Sequence, residues 1–273
     1  VLSRLDVEDL QGNTLSLPLR PTTPGYLITE IDGLDPVKSD VVSASFAQLD
    51  GEEYQAARRT KRNITMRIRL EPYFGGKTVE ELRAQLYAYF MPKTWCNLKF
   101  YIDGDLKYTI KGMTETCETA LFSQDPEMAI SILCFDPDFL GIDDVVISSN
   151  TVANSTETFI TALGSVESGY IFQLNVNRSI SGFTLYNRRP DNSLSIMTVN
   201  QTLDNGDVVK ISTIDKDKYA RLIRGGVTSS ILYAVDQYSK WSPLYPGSNY
   251  FRALVSGAGI PYTITYRPKY GGL

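Results

Sequence analysis

Apolar residues recur at every second position along much of this chain. Two runs show it best: Ile64, Met66, Ile68 and Leu70 in NITMRIRL, and Cys96, Leu98, Phe100 and Ile102 in WCNLKFYID. A period of two puts each set on one face of a half-buried strand, and both faces are expected to meet one core. Gly104 interrupts the second run in IDGDLKYTIKG, so residues 98–102 and 106–110 read as a hairpin turned through Asp103, Gly104 and Asp105. One segment follows the helical period instead. Thr78 is followed three residues later by Glu81, the pattern in which two side chains satisfy the first orphan amides of a helix, and Pro92 closes the segment. The spacing predicts a helix over 79–91, with Val79, Leu82, Leu86 and Tyr89 or Phe90 against the sheet and Glu80, Arg83 and Gln85 in water.

The character of the chain changes at FDPDFLGID, where Asp136, Pro137 and Asp138 end the buried run AISILCF. A domain boundary is expected close to Pro137. Beyond it come short candidate strands from 145–147 to 262–266, among them 158–163, 182–187 and 230–234, and no convincing helix. Asp204-Asn205-Gly206-Asp207 marks a hairpin, because Asn and Gly tolerate the positive φ of a tight turn. The chain therefore reads as mainly β, with residues 1–137 carrying the single α-helix and residues 138–273 forming a β-sandwich or jelly roll.

With 273 residues and a mass of 30.5 kDa there is room for two ordinary domains. The 42% of hydrophobic and 21% of charged residues are those of a folded, water-soluble protein. Lys and Arg number 27 against 31 Asp and Glu, a net charge of −4. That balance argues against a surface that grips nucleic-acid phosphates, so any contact with DNA is expected to be non-adhesive. No apolar run is long enough to span a membrane, and the acidic, polar opening VLSRLDVEDL is expected to carry no signal peptide. Cys96, Cys117 and Cys134 are too few and too far apart for a disulfide framework or a Cys-x-x-Cys metal knuckle, and three reduced thiols are expected. Histidine is absent, which removes Ser-His-Asp and Cys-His chemistry, histidine-ligated zinc and imidazole pH switches.

Little else points to chemistry. The carboxylate pairs Asp32 and Asp35, Asp103 and Asp105, Asp143 and Asp144, and Asp215 and Asp217 fall where strands should turn and lack the spacing of a calcium loop. Gly75-Gly76-Lys77-Thr78 has the tail of a phosphate loop without its upstream glycine and reads as a helix start. Gly164-Ser165-Val166-Glu167-Ser168-Gly169 is not a nucleophile elbow and reads as a polar turn. No catalytic, metal or cofactor site is expected. The dense basic stretch Arg58, Arg59, Lys61 and Arg62 follows the acidic Asp50, Glu52 and Glu53. Opposite charges on the two parts of one extended hairpin suit contact with an identical neighbour, and equally a solvated loop. The last third is rich in aromatic residues, including Tyr233, Tyr238, Trp241, Tyr245, Tyr250, Tyr262 and Tyr266, which either fill a core and its interfaces or stack on sugars.

Four stretches, in order, resemble the distal tail proteins of long-tailed, non-contractile bacteriophages. They are YLITEIDGLDP (26–36) with SFAQLDGEEY (45–54) leading into NITMRIRL, the hairpin from Leu98 to Gly112, the run AISILCFDP (129–137), and GDVVKI, SKWSPLYPGSN and ITYRPKY in the last third. The resemblance implies an N-terminal tail-tube-like β-barrel or sandwich, 1–137, that closes a homo-hexameric ring, and a C-terminal galectin-like sandwich, 138–273, that docks partners. It implies a hub in the virion at the distal end of the tail, made in the bacterial host cytoplasm and not inserted in a membrane. Its expected partners are the tail tube protein, the tail-tip or tail-associated hub protein and receptor-binding proteins or fibres, with DNA passing through the lumen unbound. Glu52, Glu53, Arg58, Arg59, Lys61 and Arg62 are the expected subunit-interface residues, on a hairpin over 50–63 that reaches a neighbouring subunit. The alternatives are a carbohydrate-binding module for host adhesion, with Trp241 and nearby tyrosines as platforms, and a hydrolase using two carboxylates.

Overall fold

The structure, a computed structural model, describes residues 1–19, 25–45, 50–119 and 126–273; residues 46–49 of the SFAQLDGEEY stretch lie outside that set. The chain divides into two compact units, Val1–Ile142 with Tyr270–Leu273, and Asp143–Lys269.

The first unit is one antiparallel sheet with a helix against it. Its strands are β1 (Leu2–Glu8), β2 (Thr14–Pro18), β3 (Tyr26–Asp32), β6 (Arg62–Leu70), β7 (Trp95–Ile102), β8 (Asp105–Thr119) and β9 (Glu127–Cys134), in the order β2-β1-β7-β8-β9-β6-β3. The short β10 (Phe139–Gly141) adds to β8, and β4 (Ser39–Ala44) pairs only with β5 (Glu53–Arg59). The sheet curls so that its end strands β2 and β3 run close to each other. Both alternating runs face this core: Ile64, Met66, Ile68, Leu70, Cys96, Leu98 and Phe100 are buried with Leu5, Leu17 and Ile132. Ile102 is only half-buried, at the end of β7 beside the turn, past a bulge that leaves Lys107 of β8 unopposed. The hairpin turns where expected, through Asp103 and Gly104 at φ 52° and 93°, the paired positive values of a two-residue turn that follows the twist of its strands.

A one-turn helix α1 (Pro72–Gly75) ends at Gly76 in the left-handed conformation and leads to α2 (Val79–Phe90). Thr78 Oγ1 accepts from the Glu81 amide at 3.2 Å, and Glu81 Oε2 accepts from the Thr78 amide at 2.8 Å, closing the box the sequence signalled. Met91 is already extended, at ψ 133°, since the ring of Pro92 bars the helical conformation to the residue before it. Leu82, Leu86 and Phe90 are fully buried. Gln85 is not free in water: its Oε1 lies 3.0 Å from the Tyr26 hydroxyl and accepts from Lys77 Nζ at 2.9 Å.

The second unit is a two-sheet sandwich. One sheet runs β11 (Val145–Asn150), β20 (Pro261–Tyr266), β13 (Tyr170–Asn175), β16 (Val208–Ser212), β17 (Tyr219–Arg224), β18 (Val227–Ser230); the other runs β12 (Thr158–Ala162), β19 (Gly247–Leu254), β14 (Phe183–Arg188), β15 (Leu194–Val199). Their inner faces share a core built on Tyr170, Phe172, Phe183, Phe251, Tyr262 and Tyr266, with rings such as Phe172 and Tyr262 5.3 Å apart. The 204–207 turn forms, with Gly206 at φ 93° and the Asp204 amide donating to Asp207 Oδ2 at 2.8 Å, but it is not the expected hairpin: it carries the chain from β15 in one sheet to β16 in the other. Arg224 holds that buried carboxylate at 2.6 Å and keeps the Asp207 carboxyl below its usual range. Residues 230–234 are not a strand. Val227–Ser230 pairs with β17 and Leu232–Ala234 is a 3-10 turn; Ile231 and Ala234, three apart, are the buried pair, a spacing that suits a turn and not a pleat.

Candidate assembly site

The chain between β3 and β6 leaves the sheet as a two-stranded ribbon, β4 with β5, in which Asp40 faces Arg58, Val41 faces Ala57 and Val42 faces Ala56. Every described side chain of β5 and nearly all of β4 are exposed. Val41 is 63% exposed, Val42 49% and Tyr54 66%. A pair of strands with no buried face is marginal in water, and among the described residues Val41, Val42 and Tyr54 belong to neither hydrophobic core. Glu52 and Glu53 lie at the outer end with Asp50, and Arg58 at the inner end, 3.8 Å from Asp40. Ser43 Oγ donates to Glu52 across the ladder. Thr60 closes the neck, its amide donating to Lys38 O at 3.2 Å, and Lys61 follows, exposed.

The basic stretch is not one surface. Arg59 forks Asp138, with Nη2 donating to Oδ2 at 3.1 Å and Nη1 to Oδ1, and Asp138 is buried. Arg62, an expected interface residue, is buried inside its own unit at 1% exposure. Its Nε donates to Pro137 O at 2.7 Å, Nη1 to Asp35 O at 2.6 Å and to Gly33 O, and Nη2 to Gly271 O at 2.5 Å. Phe139 lies beneath the guanidinium at 4.4 Å. Desolvation lowers the Arg62 pKa from its ordinary value, opposed by Cys134 and Asp138, and carbonyl dipoles take the place of water. The signal was in the strand: Arg62 precedes Ile64, Met66, Ile68 and Leu70 at the same period of two, so it stands in the inward row of β6. Gly33 is held at φ 83°, where an added Cβ would lie 2.0 Å from Asn63 O.

The other sequence candidates are scattered. Asp105 pairs with Lys107, Asp144 with Arg267 and Asp215 with Lys218, each in a separate turn. Glu30 and Asp32 share a cleft of about 290 Å³ with Thr65, Arg67, Thr116 and Ser131, and Arg67 holds Glu30 at 3.0 Å. Among the described residues no three His, Cys, Asp or Glu gather as metal ligands. Lys77 and Thr78 serve the start of α2, and the 164–169 turn bonds its backbone to Lys269 and Leu244. The three cysteines are free; burial pushes Cys96 and Cys134 up to about 12 and Cys117 to about 11. Trp241 is half-buried and packs on the sandwich core, so it is not the exposed platform the sugar reading expects. Arg188 lies over the Tyr250 ring at 4.0 Å and Arg189 over Tyr245 at 4.6 Å; Tyr233 and Tyr238 are the exposed rings of this region.

Residues 163–270 match the family model of the siphovirus-type tail component, C-terminal domain. Among solved structures, the chain resembles the Dit protein (gp 19.1) of phage SPP1, described as a paradigm of the hub adsorption apparatus in phages that infect Gram-positive bacteria. The match covers 97% of this chain and 98% of that one at 16% identity, with a TM-score of 0.69, a likeness of fold along nearly the whole length. A chain of the phage p2 baseplate in its activated conformation with strontium matches over 97% and 98% at 8% identity and a TM-score of 0.48. No curated protein matches the sequence.

Proposed function

We propose that this chain, which matches the siphovirus-type tail component model over residues 163–270 and resembles a Dit protein in fold, is the hub at the distal end of a bacteriophage tail. Six copies close into a ring through the first unit, the second unit docks the tail-tip and receptor-binding proteins, and DNA passes through the opening. The observation that carries this reading is the ribbon. It is a formed two-stranded element whose described side chains are almost all exposed, shows Val41, Val42 and Tyr54 to solvent, and carries Asp50, Glu52 and Glu53 at its outer end. A second copy supplies an apolar surface to cover it and cations to meet its acidic outer end. Head-to-tail contact of this kind repeats from subunit to subunit until the rotation closes. The net charge of −4 disfavours adhesion to phosphates along the path of the DNA.

Ser39 and Arg59 face each other in the ladder, so residues 40–58 can be replaced by a two-residue Asn-Gly turn without disturbing the neck. Light scattering and negative-stain images over a concentration series should show the intact protein as a ring near six times 30.5 kDa and the shortened protein as a folded monomer. An assembly unchanged by the excision would remove the ribbon from the interface.

A further inference from the structure

We propose that Arg59 and Arg62 are positioning residues: from inside their own chain they set the angle at which the ribbon leaves the first unit. This deepens the reading of the ribbon as the ring-forming element. Strands β4 and β5 are exposed along their length, so among the described residues it is the neck that fixes their direction. The outgoing leg of the neck is tied to the segment 137–139, and the incoming leg is tied to Arg62 on the outgoing one. The outgoing leg carries the arginines. Arg59 grips Asp138 through two parallel contacts, an arrangement that fixes orientation as well as distance. Arg62 takes the carbonyls of Gly33 and Asp35 on the incoming leg and of Pro137 on the same segment, with Phe139 stacked beneath it. Lysine, a point charge on a flexible stem, cannot make that set of contacts. The buried Asp138 has its charge met by Arg59 and is costly to leave without it, so fork and ribbon base move together.

The test reads the ribbon's direction directly. Spin labels are placed at Glu53→Cys and Lys107→Cys, both exposed positions, in a Cys117→Ser background. Cys96 and Cys134 are buried and their thiols lie near 12, so they label slowly. Labelled protein is diluted into unlabelled protein so that only distances within one chain are read by double electron-electron resonance. We expect a single narrow distribution in the parent, at least a twofold broadening in Arg59→Ala and in Asp138→Ala, and a narrow distribution again in the exchange Arg59→Asp/Asp138→Arg. Equal widths in the parent, Arg59→Ala and Asp138→Ala would overturn the proposal, as would an exchange that stays as broad as either single change. Arg62→Lys should broaden the distribution as well. Light scattering on the same variants separates this from the ring: broadening with an unchanged assembly keeps the positioning role and removes the ribbon from ring closure.

Discussion

Gly33 and Arg62 show how much one residue settles here, and how unevenly the sequence displays it. Gly33 stands in Asp32-Gly33-Leu34-Asp35, which by type alone is a pair of carboxylates around a turn. In the structure its carbonyl accepts from Arg62 while its Cα passes against the backbone of Asn63. Gly33→Ala therefore meets two costs, about 1 to 3 kcal/mol for a side chain in the left-handed region and a backbone clash at 2.0 Å that no rotamer relieves. Gly104→Ala, at φ 93° with open space around it, meets only the first. Urea unfolding should show Gly33→Ala as the more destabilised by at least about 1 kcal/mol, and equal midpoints would show that the neck yields. Arg62 was legible in part. Its register with Ile64 placed it inward, but four cations within five residues read as a single charged surface, and nothing local announced that an inward arginine would be met by carbonyls from distant segments.

At the scale of elements, what local chemistry specifies was legible. The α2 start, the Asp103-Gly104 turn and the 204–207 turn each follow from side chains that bond or free the backbone within four residues. Thr78→Ala removes the acceptor for the Glu81 amide and should cost about 1 kcal/mol by urea unfolding, while Thr78→Ser should cost much less; a loss as large in Thr78→Ser would trace the effect to packing and not to the cap. The hairpin expected over 50–63 is not the one that forms: residues 53–59 pair backward with 39–44, and β6 pairs with β3 and β9. SDVVSA and EYQAARR show no period of two, because alternation records a buried face and these strands have none. Residues 230–234 failed for the opposite reason, a short apolar run whose pattern fits a pleat or a turn. The ribbon came to notice through its charges alone, a weaker signal than its exposed valines and tyrosine turned out to be.

At the scale of the whole chain, the division into two units hides a return. Residues 270–273 follow the second unit in sequence but belong to the first, where Gly271 O accepts from Arg62 across 209 positions and Tyr270 packs edge-on to Tyr108 at 4.9 Å. No periodicity can foretell a contact of that span, since it depends on where the intervening sandwich delivers the chain. It also makes an asymmetric demand on stability. Removing residues 270–273 leaves a buried guanidinium N–H without its acceptor, about 1 to 3 kcal/mol, and takes away an aromatic pair, about 0.5 to 1.5 kcal/mol. The expected loss is about 2 to 4 kcal/mol, confined to the first unit. Each unit holds one of the two tryptophans, Trp95 and Trp241, so Trp241→Phe and Trp95→Phe each leave a single reporter. In urea, the transition seen by Trp95 should move to lower denaturant on truncation while that seen by Trp241 stays. Equal movement of both would mean that the two units unfold as one, and movement of neither would mean that Arg62 finds another acceptor. A first unit weakened in this way should also hold its ribbon less firmly, because the guanidinium that loses Gly271 is the one that grips Gly33 and Asp35.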